Sequence, residues 1–91
     1  METIVIDGAM MPDREAAHDH LAQSLSLPDY YGRNLDALYD LLTERGERLR
    51  LLIRRREALR AALGEYGDAL LRTLQEAAEN NSALEVAFEG E

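Results

Sequence analysis

A short apolar strand near each end of the chain, with amphipathic helical stretches between them, predicts a small α/β layer. Thr3-Ile4-Val5-Ile6 and Leu84 to Phe88 supply the strands. Three stretches with apolar residues at helical spacing supply the helices. Strands separated by helices do not pair as hairpins; they pair in parallel through crossovers, which are right-handed. At 91 residues the chain makes one domain, 1–91, and buries about 60–65% of its extended surface on folding. An enzyme with an enclosed two-domain cleft is excluded at this size.

The first strand ends at Asp7-Gly8, a turn pair. Asp13, after Pro12, is placed to cap a helix running to about Ser26, with Ala17, Leu21 and Leu25 at i, i+4, i+8 as its buried stripe. Leu27-Pro28-Asp29 breaks that helix, Tyr30-Tyr31-Gly32 continues the loop, and Asn34 caps a second helix to about Thr43. Leu35, Leu38 and Leu42 form its inner face. The segment from Arg48 to Leu63 has two readings. Leu49, Leu52, Ile53, Arg56, Leu59 and Leu63 fit a helical period, and propensity favours one long helix. Leu49, Leu51 and Ile53 also alternate, which suits a strand before a short helix starting near Arg55. Gly64 and Gly67 punctuate the chain, and a last helix follows from Asp68 to about Asn80. Asn80-Asn81-Ser82 closes it, and Leu84, Val86 and Phe88 alternate with Glu85 and Ala87 in the closing strand.

Composition narrows the chemistry. Without cysteine, a disulfide scaffold and a Cys-ligated metal site are impossible. No apolar run approaches the length of a membrane span, and the N-terminus lacks the pattern of a signal peptide, so a cytoplasmic location is expected. The formal charge of -8 repels nucleic acid and favours basic partners. Its distribution is uneven: net -6 over 1–43, net +4 over 44–60 and net -6 over 61–91. All ten bases are arginine, and seven of them lie in the middle segment. That block has two readings, a nucleic-acid patch or a solvated strand edge and helix face balancing an acidic protein; with no aromatic residue interleaved for base stacking, the second is favoured.

One arrangement on the second helix runs against local stability. Asp36, Asp40 and Glu44 stand at i, i+4, i+8, so three carboxylates stack on one ridge and repel by about 0.2–0.5 kcal/mol per pair. The later two also face the negative end of the helix dipole. Arg33 is in reach of Asp36, but Asp40 has no base three or four positions away. Tyr39, with Tyr30 and Tyr31 upstream, widens the ridge into an acidic and aromatic patch. A solvated acidic face is one reading. A surface shaped for a basic partner is the other, with carboxylates waiting for cations on another protein. Catalytic carboxylate pairs flank a cleft from separate elements and need one pKa raised by burial, which a ridge beside water does not supply. His18 and His20, at i, i+2, point apart on a helix and cannot chelate one ion; one half-buried and one exposed histidine is expected. Asp36 and Asp40 make a poor cation site without further oxygens, and no phosphate-binding glycine motif occurs. No enzyme activity, cofactor or metal is expected.

The run Leu27-Pro28-Asp29-Tyr30-Tyr31-Gly32-Arg33-Asn34-Leu35-Asp36-Ala37-Leu38-Tyr39-Asp40-Leu41-Leu42-Thr43 closely resembles the signature segment of the barstar family, intracellular inhibitors of barnase-type ribonucleases. Ile4-Val5-Ile6-Asp7-Gly8 looks like the family's first strand and turn. The 67–78 helix and the 84–88 strand look like its last elements. The resemblance implies a three-stranded parallel sheet packed by about four helices, with 49–54 a strand followed by a short helix. It implies a monomer when free, whose partner is a small basic ribonuclease or related toxin, with no direct nucleic-acid or membrane contact. The residue matching Asp40 takes the place of an RNA phosphate in the enzyme's cleft. By the same match Tyr30, Gly32, Asn34, Asp36, Ala37, Tyr39, Thr43 and Glu76 line the partner surface. Departures are Tyr39 for a tryptophan, Glu44-Arg45 for a Gly-Trp pair, Arg33 for an acid at the rim, and the basic run Arg54-Arg55-Arg56. These leave open a partner other than a barnase-type nuclease, as for an immunity or regulatory protein of the same fold.

Overall fold

The computed structural model describes residues 1–90. Strand β1 (Glu2–Asp7) leads through one 3-10 turn (Gly8–Met10) to helix α1 (Arg14–Leu25) and helix α2 (Leu35–Thr43). Strand β2 (Leu49–Arg54), helix α3 (Arg56–Leu63), helix α4 (Glu65–Glu79) and strand β3 (Leu84–Phe88) follow. The sheet order is β1-β2-β3 and both pairings are parallel, which is the α/β class expected. The two-way segment resolves to strand, then short helix. α4 begins at Glu65, ahead of the expected Asp68, so Gly67 lies inside the helix. A Cβ there would sit 2.9 Å from the Leu59 side chain. Gly67 marks close approach of α3 and α4 and not a break.

Two right-handed crossovers stepping the same way across a sheet place their helices on one face. The burial agrees. Ile6, Leu51, Ile53 and Leu84 point into the core with Leu21, Leu25, Leu38, Leu42, Leu59, Leu70 and Leu74 from the helices. The register puts Thr3 beside Arg50 and Arg50 beside Glu85 on the other face, where all three are exposed. A parallel sheet covered on both faces reads as continuous apolar strands; one left open on a face alternates, as Leu49-Arg50-Leu51 does.

The open face takes the β2 arginines, and most of the rest of the arginine block finds partners around α3. Arg50 pairs with Glu85 at 3.2 Å, Arg54 Nε lies 2.6 Å from Glu89, and Arg55 reaches Asp7 at 2.6 Å. Arg60 pairs with Asp68 at 2.9 Å, and the Arg56 guanidinium lies 4.7 Å from the Phe88 ring centroid. Each exposed pair contributes at most about 1 kcal/mol. Their larger consequence is that acids distant in sequence are neutralised in space. Asp7 also accepts from the Ala9 N–H, and that bond, followed by the Arg55 guanidinium, holds its carboxyl below the usual range.

Among the described residues His18 is the buried polar side chain of the core, 3% exposed. Its ring meets the Tyr31 and Tyr66 hydroxyls at 2.6 and 2.7 Å, which offsets the cost of taking it from water. His20 is half-buried, and its Nε2 accepts from the Asp7 N–H at 3.0 Å. Both histidines are more enclosed than the sequence spacing suggested, because α1 lies against β1 and the loop after it closes over its outer side. Desolvation lowers the pKa of each below the ordinary histidine value of 6.5. The unfolded chain therefore binds more protons below that value, and stability falls as pH drops from about 6.5 through the lowered native values. The urea midpoint is expected to be lower at pH 5.5 than at pH 7.5; an equal or higher midpoint at 5.5 refutes this account.

Candidate partner-binding surface

The segment that carries the expected contact residues begins where α1 stops. Ser26 turns into the left-handed region at φ 53°, and the Tyr31 N–H donates to the Pro28 carbonyl at 2.9 Å. That turn sends Tyr31 inward and Tyr30 outward: they are 7% and 81% exposed. Arg33 is again left-handed, φ 55°. Its guanidinium pairs with Asp19 at 2.6 Å and donates to the Glu15 carbonyl. The expected Arg33–Asp36 contact is therefore not made; the loop turns Arg33 back onto α1.

Asn34 starts α2 by accepting from the Ala37 N–H at 2.8 Å and donates to the Gly32 carbonyl at 3.2 Å. A Cβ on Gly32 would stand 3.2 Å from the Asn34 amide, so the backbone runs close to the cap. Along α2, Leu38 and Leu42 are buried, Ala37, Tyr39 and Thr43 are half-buried, and Asp36 and Asp40 are exposed. The acidic ridge thus faces outward on a helix held from beneath by leucines. The Thr43 hydroxyl donates back to the Tyr39 and Asp40 carbonyls. Glu44 caps the helix and is exposed.

Glu76 comes to this region through α2 packing on α4. The Asn80 side-chain amide donates both to the Tyr39 hydroxyl at 2.9 Å and to the Glu76 carbonyl at 3.0 Å. Asn80, expected only as part of a helix end, therefore ties the aromatic of α2 to the acidic end of α4. No local spacing announces a contact across 41 residues. Asn81 donates to the Leu42 and Arg45 carbonyls, and Arg45 donates twice to the Leu25 carbonyl. Arg45, the base nearest the end of the ridge, is thereby turned toward α1.

Charge is now segregated. Among the described residues, the ion pairs engage Asp7, Asp19, Glu57, Asp68, Glu85 and Glu89. None engages Asp36, Asp40, Glu44 or Glu76. Other acids, such as Glu2 and Glu47, are also outside these pairs, but on α2 three carboxylates without an ion pair share one ridge, with Tyr39 on the same helix.

The family model described as Barstar (barnase inhibitor) matches residues 1–89. The chain belongs to the barstar family. Barstar-like folding accounts for the three-stranded parallel sheet and four helices, and it makes this an inhibitor-type binding protein and not an enzyme. A protein of Bacillus subtilis (strain 168) named "Putative ribonuclease inhibitor YrdF" is 45% identical over 80 residues, spanning 87% of this chain and 88% of that protein. Among the described residues of this barstar-family chain, no helix is long and apolar enough to cross a membrane.

Proposed function

We propose that this protein blocks the active site of a small basic ribonuclease, with the α2 ridge standing in for RNA phosphate. The observation that carries the reading is the segregation of charge. Six acids remote from the ridge are paired with arginines within the chain, while Asp36 and Asp40, at helical spacing on one exposed ridge, and Glu76 on the neighbouring helix join none of the described ion pairs. Carrying unpaired carboxylates at helical spacing costs stability, and an arginine-lined cleft recovers it through charge-assisted hydrogen bonds. Asp40 is the central carboxylate of the ridge, one turn from Asp36 and one from Glu44, with Glu76 on the neighbouring helix α4 as a further acidic contact. Tyr30 and Tyr39 add aromatic contact, Gly32 and Ala37 allow close approach, and Asn34 and Thr43 border the surface. The overall charge of -8 steers encounter with a basic enzyme in the cytoplasm and repels RNA itself.

The edge of the surface supports a target distinct from barnase. Arg45 occupies the place of an aromatic in the family pattern and turns toward Leu25, so that corner offers a guanidinium stem in place of a flat ring. Titrating the protein into small basic ribonucleases while following RNA cleavage is expected to give stoichiometric loss of activity with at least one of them. If cleavage is unaffected across barnase-type enzymes, and none is bound, the reading fails. Recovery of a non-nuclease toxin as the bound partner would move it to an immunity role on the same fold.

A further inference from the structure

The loop that carries Tyr30 and starts α2 is not in a pose its backbone prefers. Ser26 and Arg33, neither of them glycine, sit at φ 53° and 55°, a conformation that persists where surrounding contacts over-determine it. Those contacts come from α1. One is the Arg33–Asp19 pair at the surface. The other is beneath the loop: His18 Nδ1 lies 2.6 Å from the Tyr31 hydroxyl, and Nε2 lies 2.7 Å from the Tyr66 hydroxyl on α4. With His18 and Tyr31 3% and 7% exposed, these two groups have each other, and His18 has Tyr66, in place of water.

A neutral ring meets one hydroxyl as donor and the other as acceptor. An imidazolium donates through both nitrogens, so the hydroxyl that was donating to the ring loses its acceptor, in a buried place for Tyr31 and at the cleft wall for Tyr66. Burial holds the Tyr31 hydroxyl protonated, its pKa pushed up to about 12. The surroundings resist charging of the ring: burial opposes it most, then Arg33 on the loop and Arg14 on α1, while Asp19 favours it. Glu15, and Asp36 on α2, line the open cleft above the ring together with Tyr66, and that cleft admits water.

We propose that His18 is a positioning residue for partner binding: held between Tyr31 and Tyr66, its neutral ring keeps the 27–34 loop in the pose that presents Tyr30 and starts α2 at Asn34. This deepens the inhibitor reading and rests on it. Neither His18 nor Tyr66 belongs to the contact surface described above, so both act through the loop.

Two measurements on the full chain test this. In the free protein, Tyr66→Phe strands one ring nitrogen and is expected to speed amide exchange at Tyr31 and Ala37 about fivefold, leaving Leu51 and Ile53 unchanged. With a barnase-type ribonuclease that the wild type inhibits, Tyr66→Phe is expected to weaken binding roughly three- to tenfold, as loss of one buried hydrogen bond implies. The ratio of wild-type to His18→Gln affinity, in which the nuclease's own titration cancels, is expected to be flat from pH 8 to 6.5 and to fall toward pH 5. Unchanged loop exchange in Tyr66→Phe overturns the proposal, and so does a ratio that is constant from pH 8 to 5. If no nuclease is bound by the wild type, the inhibitor reading fails instead, and the exchange measurement still decides whether His18 holds the loop.

Discussion

Replacing Asp40 with alanine is expected to abolish tight nuclease inhibition while leaving the free protein as stable as before or slightly more so. On the free molecule Asp40 is exposed and joins none of the described ion pairs. It stands one turn from Asp36 and from Glu44 on the same ridge, so its removal relieves two like-charge pairs, each worth a few tenths of a kcal/mol. In the complex the same carboxylate would be desolvated among the enzyme's cations. Truncating one side of such a pair strands the other charges and costs about 2–5 kcal/mol or more, roughly thirty- to several-thousand-fold in affinity. Measurements on the barnase–barstar pair themselves contribute to that range. The paired assay is an inhibition constant and a thermal midpoint on the same preparation. A variant that inhibits as well as the wild type removes Asp40 from the mechanism. A variant that fails because it unfolds shows the residue to be structural.

The opposite face of the same helix should behave the other way. Leu38 is fully buried between α2 and the rest of the core, and α2 packs chiefly on α4. Leu38→Ala removes buried methyl groups and leaves a cavity, an effect of about 2–5 kcal/mol. For a domain this size that corresponds to a fall in Tm on the order of 15 °C, from a total stability of only about 5–15 kcal/mol. Since α2 carries Asp36, Asp40 and Tyr39, inhibition should weaken too, but in proportion to the folded fraction and not through lost contact. Urea melts alongside inhibition at a temperature where the variant is still folded separate the two effects. A drop in Tm under about 3 °C would mean the core collapses around the smaller side chain.

The outer strands and the first two helices were legible because their signals are local. Asn34 and Asp13 cap as their side-chain chemistry and position suggest, and the leucines at i, i+3, i+7 along α2 could face only the core. The acidic ridge was legible for the same reason: three carboxylates on one helix need no tertiary information to be seen. The segment from Leu49 to Leu63 was not legible by pattern, since leucines spaced for a helix are also spaced for a strand open on one face. Pairing with β1 and β3 decides it, through backbone hydrogen bonds to residues about 45 and 35 positions away. Helix α4 starts ahead of Asp68 for a related reason. Glycine weakens a helix locally, but at Gly67 the missing side chain is what lets α3 pack close.

By itself the sequence determines an acidic α/β domain of the barstar family with a carboxylate ridge on its second helix, because periodicity, capping and a long signature are written along the chain. Only the tertiary structure decides that much of the arginine block is matched within the chain. Arg50, Arg54, Arg55 and Arg60 find acids from β3, the segment after it, β1 and α4; Arg60 has a longer pair with its helical neighbour Glu57 besides. It also decides that Arg33 and Arg45 turn toward α1, and that His18 joins two tyrosines 13 and 48 residues away. Charge pairing and buried hydrogen bonding depend on distance in space, which the fold sets and a local pattern does not carry.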